Sequence, residues 1–199
     1  MIPSFPPHSP GQRIGLYGGS FNPPHEGHRH VALMALRRLA LDRLWFVVTP
    51  GNPLKNREGL ASLEARLAAT RGMVSHPRID VTGFEAAFGS DLTVDTVRAL
   101  TSRLPCLRFV WIMGADNLAS FHRWHRWRDI ADLVPIAVID RPGATHAALR
   151  STAALALGRF RIPESAAARL AERTPPAWVF LYGRRSKLSS TALRAGVLA

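Results

Sequence analysis

Two histidines three residues apart, His25 and His28, flank Gly27 directly after the run Gly18-Gly19-Ser20-Phe21-Asn22-Pro23-Pro24. At that spacing both side chains share one face of a helix's first turn. Gly27 removes the side chain between them and lets a ligand approach the backbone. Asn22 precedes a proline and is biased towards extended backbone, so the helix is expected to begin after it. A strand entering a glycine-containing turn and then a helix aims backbone N–H groups and the positive end of the helix dipole at one point, an arrangement suited to phosphate. The plainer alternative is a tight turn carrying two surface histidines.

Further stretches carry polar groups of the same kind. Thr49 to Asn56 has two prolines, a glycine and two asparagines, hence a loop, and holds Lys55, one of only two lysines in the chain. A lysine there supplies a mobile point charge for phosphate, or is a solvated loop residue. Ser90, Asp91 and Thr93 are N-cap candidates for a helix. Gly114 and Asp116 follow a strand-like run, where an acidic residue suits a ribose or backbone contact or caps the next helix. His122 to Arg128 interleaves bases with Trp124 and Trp127 in the manner of a stacking strip, but Trp127, Ile130, Ala131 and Val134 have helical spacing, which assigns Trp127 to the core. Ser189, Ser190 and Thr191 are a helix-start signal, and Arg194 lies on the same face, leaning back towards them.

Gly18 to His28 resembles the first signature of the His-x-Gly-His nucleotidyltransferase superfamily, in wording closest to the bacterial nicotinate-nucleotide adenylyltransferases. Ser189-Ser190-Thr191-Ala192-Leu193-Arg194 resembles the second signature, with Leu188 a mild departure, and the resemblance runs from about Arg13 to the C-terminus. It implies transfer of AMP from ATP to nicotinate mononucleotide, giving deamido-NAD and pyrophosphate in NAD biosynthesis. His25, His28, Lys55 and Arg194 are then the catalytic candidates. The ATP side is expected to include Gly18, Gly19, Ser20, Phe21, Gly114, Asp116, Arg141 of an Arg-Pro-Gly turn, Ser189, Ser190 and Thr191. Asn22, Lys55, the backbone near Thr93, the ring of Trp124 and His125 are expected around the nicotinate nucleotide. Leu92 stands where the family usually has an aromatic residue. Magnesium is expected to arrive with ATP, because no carboxylate cluster offers an all-protein cage and no zinc-ligand pattern surrounds the histidines.

These residues need elements to position them. Strand-like apolar runs occur at 13–17, 44–48, 79–81, 107–113, 135–139 and 178–181, and helical patterns at 28–41, 63–74, 94–104 and 165–173. Alternation of the two predicts an α/β fold, a Rossmann-like, doubly wound, mostly parallel sheet in one domain. Residues 1–12 hold four prolines and read as a loose tail ahead of a domain over 13–199. The segment 144–174 carries no assigned chemistry.

With 199 residues, 47% hydrophobic and 20% charged, the chain suits one well-buried core. No apolar run approaches the ~20 residues a membrane span needs. One cysteine, Cys106, fits a reducing cytoplasm, and no membrane partner is expected. The net charge of +12 invites nucleic acid as a partner, but the arginines are scattered, and a polyanionic substrate also favours a positive cleft. Nucleic acid is therefore not the expected partner; ATP and nicotinate mononucleotide are, for a monomer or small homo-oligomer. The alternatives are a sister adenylyltransferase using nicotinamide mononucleotide or pantetheine phosphate, a regulatory ATP-binding module, and a non-catalytic nucleic-acid-binding protein.

Overall fold

The structure, a computed structural model, describes residues 5–51, 59–141 and 143–183. In chain order these form β1 (Arg13–Gly19), α1 (Glu26–Arg38), β2 (Arg43–Val48), α2 (Leu63–Met73), β3 (Ile79–Thr82), α3 (Thr93–Arg103), β4 (Arg108–Gly114), α4 (Ala115–Ser120), α5 (Trp127–Leu133), β5 (Ile136–Ile139), α6 (Thr145–Leu149), α7 (Thr152–Ala156) and β6 (Trp178–Leu181), with 3₁₀ segments at Phe84–Phe88, Phe121–Arg123, Gly158–Phe160 and Glu164–Glu172.

The six strands make one sheet in the order β3-β2-β1-β4-β5-β6, and every neighbouring pair is parallel. Side chains alternate between the two faces with period two. Ile14, Leu16, Trp45, Val47, Phe109, Trp111 and Val138 point to one core, with Val97 and Leu100 of α3 and Ile130 of α5. Tyr17, Leu44, Phe46, Val110, Ile112 and Ile139 point to the other, with Val31, Ala35 and Leu36 of α1 and Leu170. Burial on both faces explains why the strands read as nearly unbroken apolar runs. Strand order reverses between β1 and β4, so a crevice opens beyond their carboxyl ends, the ordinary ligand position of such sheets. The expected doubly wound parallel sheet is the one observed.

Several elements depart from the sequence expectations. The helix expected over 28–41 spans Glu26–Arg38 and stops at Leu39, with Ala40 at φ 49°. Leu39 and Leu41 are buried at 0% and 1% exposure, so packing of the turn sets the end. The helix expected over 165–173 is a 3₁₀ segment, Glu164–Glu172, its Ala167, Leu170 and Ala171 buried. Part of the N-terminal stretch lies against the domain: Phe5 packs edge-on to Phe84 at 5.6 Å, and the Gly11 N–H donates to the Cys106 carbonyl at 2.8 Å.

Candidate active site

β1 delivers Gly18 and Gly19 to the crevice, and the chain then turns sharply through Phe21, at φ 44°, and a cis Asn22–Pro23 bond. The Phe21 ring is enclosed against Tyr17, His28 and Phe46 at 5.0–5.5 Å. Its side chain is therefore core rather than an ATP contact. Gly18 is required by packing, because a methyl there would stand 2.5 Å from the Trp111 ring.

His25 is the N-cap of α1 and His28 lies in its first turn, so the pair does share a face. The rings stack with centroids 3.7 Å apart. The His25 N–H donates to His28 Nδ1 at 3.2 Å, which leaves the His28 proton on Nε2. Both ring nitrogens of His25 are buried without a hydrogen-bond partner among the described residues. Burial, aided by the Arg141 charge, pushes its pKa down to about 4, so the ring is neutral at pH 7. Orphaned buried polar atoms at a helix start suit a ligand that completes their hydrogen bonds.

Arg141 and Asp116 sit beside this pair. The guanidinium lies 3.6 Å from the Asp116 carboxylate. Gly114 makes room for both, since a methyl there would meet Arg141 Nε at 3.1 Å. Asp116 does not cap α4: Gly114 is the N-cap, and α4 continues from β4 without a loop. The Tyr17 phenol next to Arg141 is pushed up to about 12 by burial and stays protonated.

A cavity of about 390 Å³ adjoins this corner, lined by Gly18, Gly19 and Ser20 together with Thr93, Trp124 and His125. Trp124 is half-buried, edge-on to Phe121 at 5.3 Å and Trp111 at 6.4 Å, which leaves it at the cavity wall. Trp127 is core, as its helical spacing predicts. Thr93 opens α3, but its cap is Leu92; Ser90 instead accepts the Leu92 N–H and donates to Asp95 at 2.8 Å. None of the three expected cap residues therefore caps the helix. Asn22 is outside the cavity lining: its side chain donates to the Gly59 carbonyl and accepts from the Ala61 N–H, tying down the segment ahead of α2. Lys55, Ser189, Ser190, Thr191 and Arg194 lie outside the described residues.

Sequence reasoning missed Trp111, Glu85, Asn117 and Arg66. The first three line the cavity. Glu85 accepts from the Thr96 hydroxyl at 2.7 Å, and burial raises its pKa, which favours the neutral acid. Only tertiary contact brings these residues to the site, and no local motif marks them. Among the described residues no group of three His, Cys, Asp or Glu could hold a metal ion, and no helix is long and apolar enough to cross a membrane.

The chain belongs to the cytidylyltransferase-like family, which it matches over residues 16–196. Among its relatives, a protein of Agrobacterium fabrum named "Probable nicotinate-nucleotide adenylyltransferase" is 59% identical, the match covering 91% of this chain and 97% of that one. A protein of Methylorubrum extorquens with the same name is 60% identical over 92% of this chain and 98% of its own. The solved Plasmodium falciparum nicotinic acid mononucleotide adenylyltransferase, complexed with NaAD, superposes with a TM-score of 0.66 over 92% of this chain and 83% of that one. At 16% identity that likeness concerns the fold.

Proposed function

We propose that this protein is a nicotinate-nucleotide adenylyltransferase, joining AMP from ATP to nicotinate mononucleotide with release of pyrophosphate. Relatives at 59–60% identity over nearly their whole length carry that name. The observation that carries the reading is the pairing of two compartments at one crevice: the stacked His25 and His28 at a helix start, and a cavity walled by Trp124, Thr93 and His125. The first suits a polyphosphate and the second a flat ring with an acceptor group.

The attacking group is a phosphate monoester, largely dianionic at neutral pH because its second pKa is ~6, so no general base is needed. An acceptor phosphate oxygen bonds to the α-phosphorus as the bond to the β-phosphate bridging oxygen breaks, and pyrophosphate departs with that electron pair. Catalysis then consists of alignment and charge neutralisation. In this reading neutral His25 and the Nε2–H of His28 donate to ATP phosphate oxygens. Arg141 neutralises charge alongside them. Lys55 and Arg194 act on the transferred and leaving groups, and Ser189, Ser190 and Thr191 bind phosphate oxygens. The Trp124 ring faces the pyridine, and backbone N–H groups near Thr93 and His125 receive its carboxylate. Asn22 acts indirectly, through the segment it ties down. Magnesium, held by the ATP phosphates, would neutralise their charge; the donor set of the described residues suits that better than a protein-held ion.

A panel of acceptors in a pyrophosphate-release assay tests the proposal. Release with nicotinate mononucleotide, far above that with pantetheine phosphate or no acceptor, is the expected result. Release only with pantetheine phosphate would assign a sister activity, and none with any acceptor would refute adenylyl transfer.

A further inference from the structure

Helix α2 buries the wrong kind of residue. Its fully buried members are Arg66 and Thr70, where an amphipathic helix would bury apolar side chains. Arg66 is 2% exposed, and it stands in the first turn, where the helix dipole disfavours a cation. No carboxylate is hydrogen-bonded to it among the described residues. Its donors go to carbonyls instead: Nε to Ala61 at 2.9 Å, Nη1 to Ser20 at 2.8 Å and Thr49 at 2.7 Å, Nη2 to Pro50 at 3.2 Å. A buried charge satisfied only by neutral dipoles breaks local rules, and such breaches cluster at functional sites.

Three of these carbonyls, those of Ser20, Thr49 and Pro50, lie just past the ends of β1 and β2, and Ser20 and Thr49 line the cavity. A trans peptide is planar, with its C=O and the next N–H pointing in opposite directions. Drawing the Ser20 carbonyl towards Arg66 turns the Phe21 N–H away from it, and drawing the Pro50 carbonyl turns the Gly51 N–H likewise. Neither amide donates to an acceptor among the described residues. One planar guanidinium therefore fixes the aim of two backbone donors in the turns that follow different strands, which a lysine ammonium cannot do with the same geometry.

We propose that Arg66 is a positioning residue of this site: it presets the Phe21 and Gly51 amides for an anionic substrate, whose phosphate oxygens balance its buried charge. The choice of a polyphosphate as that anion rests on the adenylyl-transfer reading above.

Arg66→Lys and Arg66→Gln, with the parent, provide the test. In the parent, saturating inorganic tripolyphosphate slows hydrogen exchange of the Phe21 and Gly51 amides by at least about tenfold, a measurement independent of any variant's folding. In Arg66→Lys, melting within a few degrees of the parent, that slowing falls below about threefold. Its kcat falls on the order of 100-fold, the loss associated with misplacement of about 1 Å, while the acceptor KM changes by less than about threefold. Arg66→Gln shows the same losses or fails to fold. Unprotected amides in the parent overturn the proposal. So does an Arg66→Lys enzyme with the parent's kcat, or one whose only change is a lower Tm. A parent that protects both amides yet transfers AMP to no acceptor refutes the functional reading and leaves the role of Arg66 standing.

Discussion

At the scale of single residues, the histidine pair separates two jobs that the sequence alone runs together. His28 has its tautomer set by the His25 N–H, and its Nε2–H is a fixed donor. Replacing it by alanine is expected to lower kcat by about 10²–10³, as for loss of one preorganised donor to developing charge; steady-state turnover and a melting curve check this. Turnover within threefold of the parent at unchanged Tm would remove His28 from catalysis. His25 has a folded pKa of about 4, below its ordinary 6.5. The unfolded chain therefore takes up this proton first as pH falls, so the group costs no stability above roughly pH 6.5 and progressively more down to about 4. In the free protein its ring signals should not titrate between roughly pH 8 and 5.5, and ATP should raise the pKa; an NMR titration measures both. The pair was legible in the sequence because its members are three residues apart. Arg66, Glu85 and Trp111 were not, because their neighbours lie in other elements and nothing in their own stretch distinguishes them from ordinary helix, 3₁₀ and strand residues.

At the scale of elements, the site is made where strand ends meet helix starts. β1 brings Gly18 under Trp111 of β4, and the Trp111 ring meets Trp124 edge-on. Gly18→Ala should push the Trp111 ring aside and deform the acceptor cavity while leaving the histidine corner in place. The expected outcome is a fall of roughly tenfold in kcat/KM for the acceptor, with the KM for ATP moved less than about twofold, since small misplacements near the reacting groups are costly. Equal losses for both substrates would place the two compartments on one structural unit. Strands and major helices were legible because they are buried on one or both faces and follow simple periods. The alanine-rich segment 164–172 was not: its apolar spacing suits a helix, and the choice of the tighter 3₁₀ turn comes from packing on β6 and β4. The cap of α3 was misread for a related reason, since Ser90 had two local partners available and used both on Leu92 and Asp95.

At the scale of the whole molecule, topology sets where the site lies and charge bears on the nucleic-acid alternative. The strand order β3-β2-β1-β4-β5-β6 puts the carboxyl ends of β1 and β4 at the crossover, and the Gly18–Ser20 turn and Gly114 meet there. The positive charge is dispersed. Arg13 pairs with Asp42, Arg43 with Asp80, Arg38 with Glu164 and Arg98 with Asp129, spread over the sheet and its helices. In a filter-binding salt series, DNA and RNA are expected to bind no more tightly than the non-specific range of about 10⁻⁴–10⁻⁶ M at physiological salt. Nanomolar binding there would restore the nucleic-acid reading.

Discrimination between an acid and its amide of nearly the same shape tests the central claim most directly. In the proposed reading the Trp124 ring cannot separate the two, and the choice is expected to fall to donors near Thr93 and His125. A carboxylate accepts from both, whereas an amide sets its own NH₂ against one of them, leaving a buried donor unpaired at a cost of about 1–3 kcal/mol. Burial raises the pKa of Glu85, which also lines the cavity, and so weakens the repulsion its carboxylate would present to the acid. With ATP labelled at the α-phosphate, and nicotinate and nicotinamide mononucleotide in competition, label should pass to the acid in preference by at least about tenfold. It should appear in deamido-NAD and not in pyrophosphate. Equal labelling of the two products, preference for the amide, or no transfer of the α-phosphate to either would contradict the account.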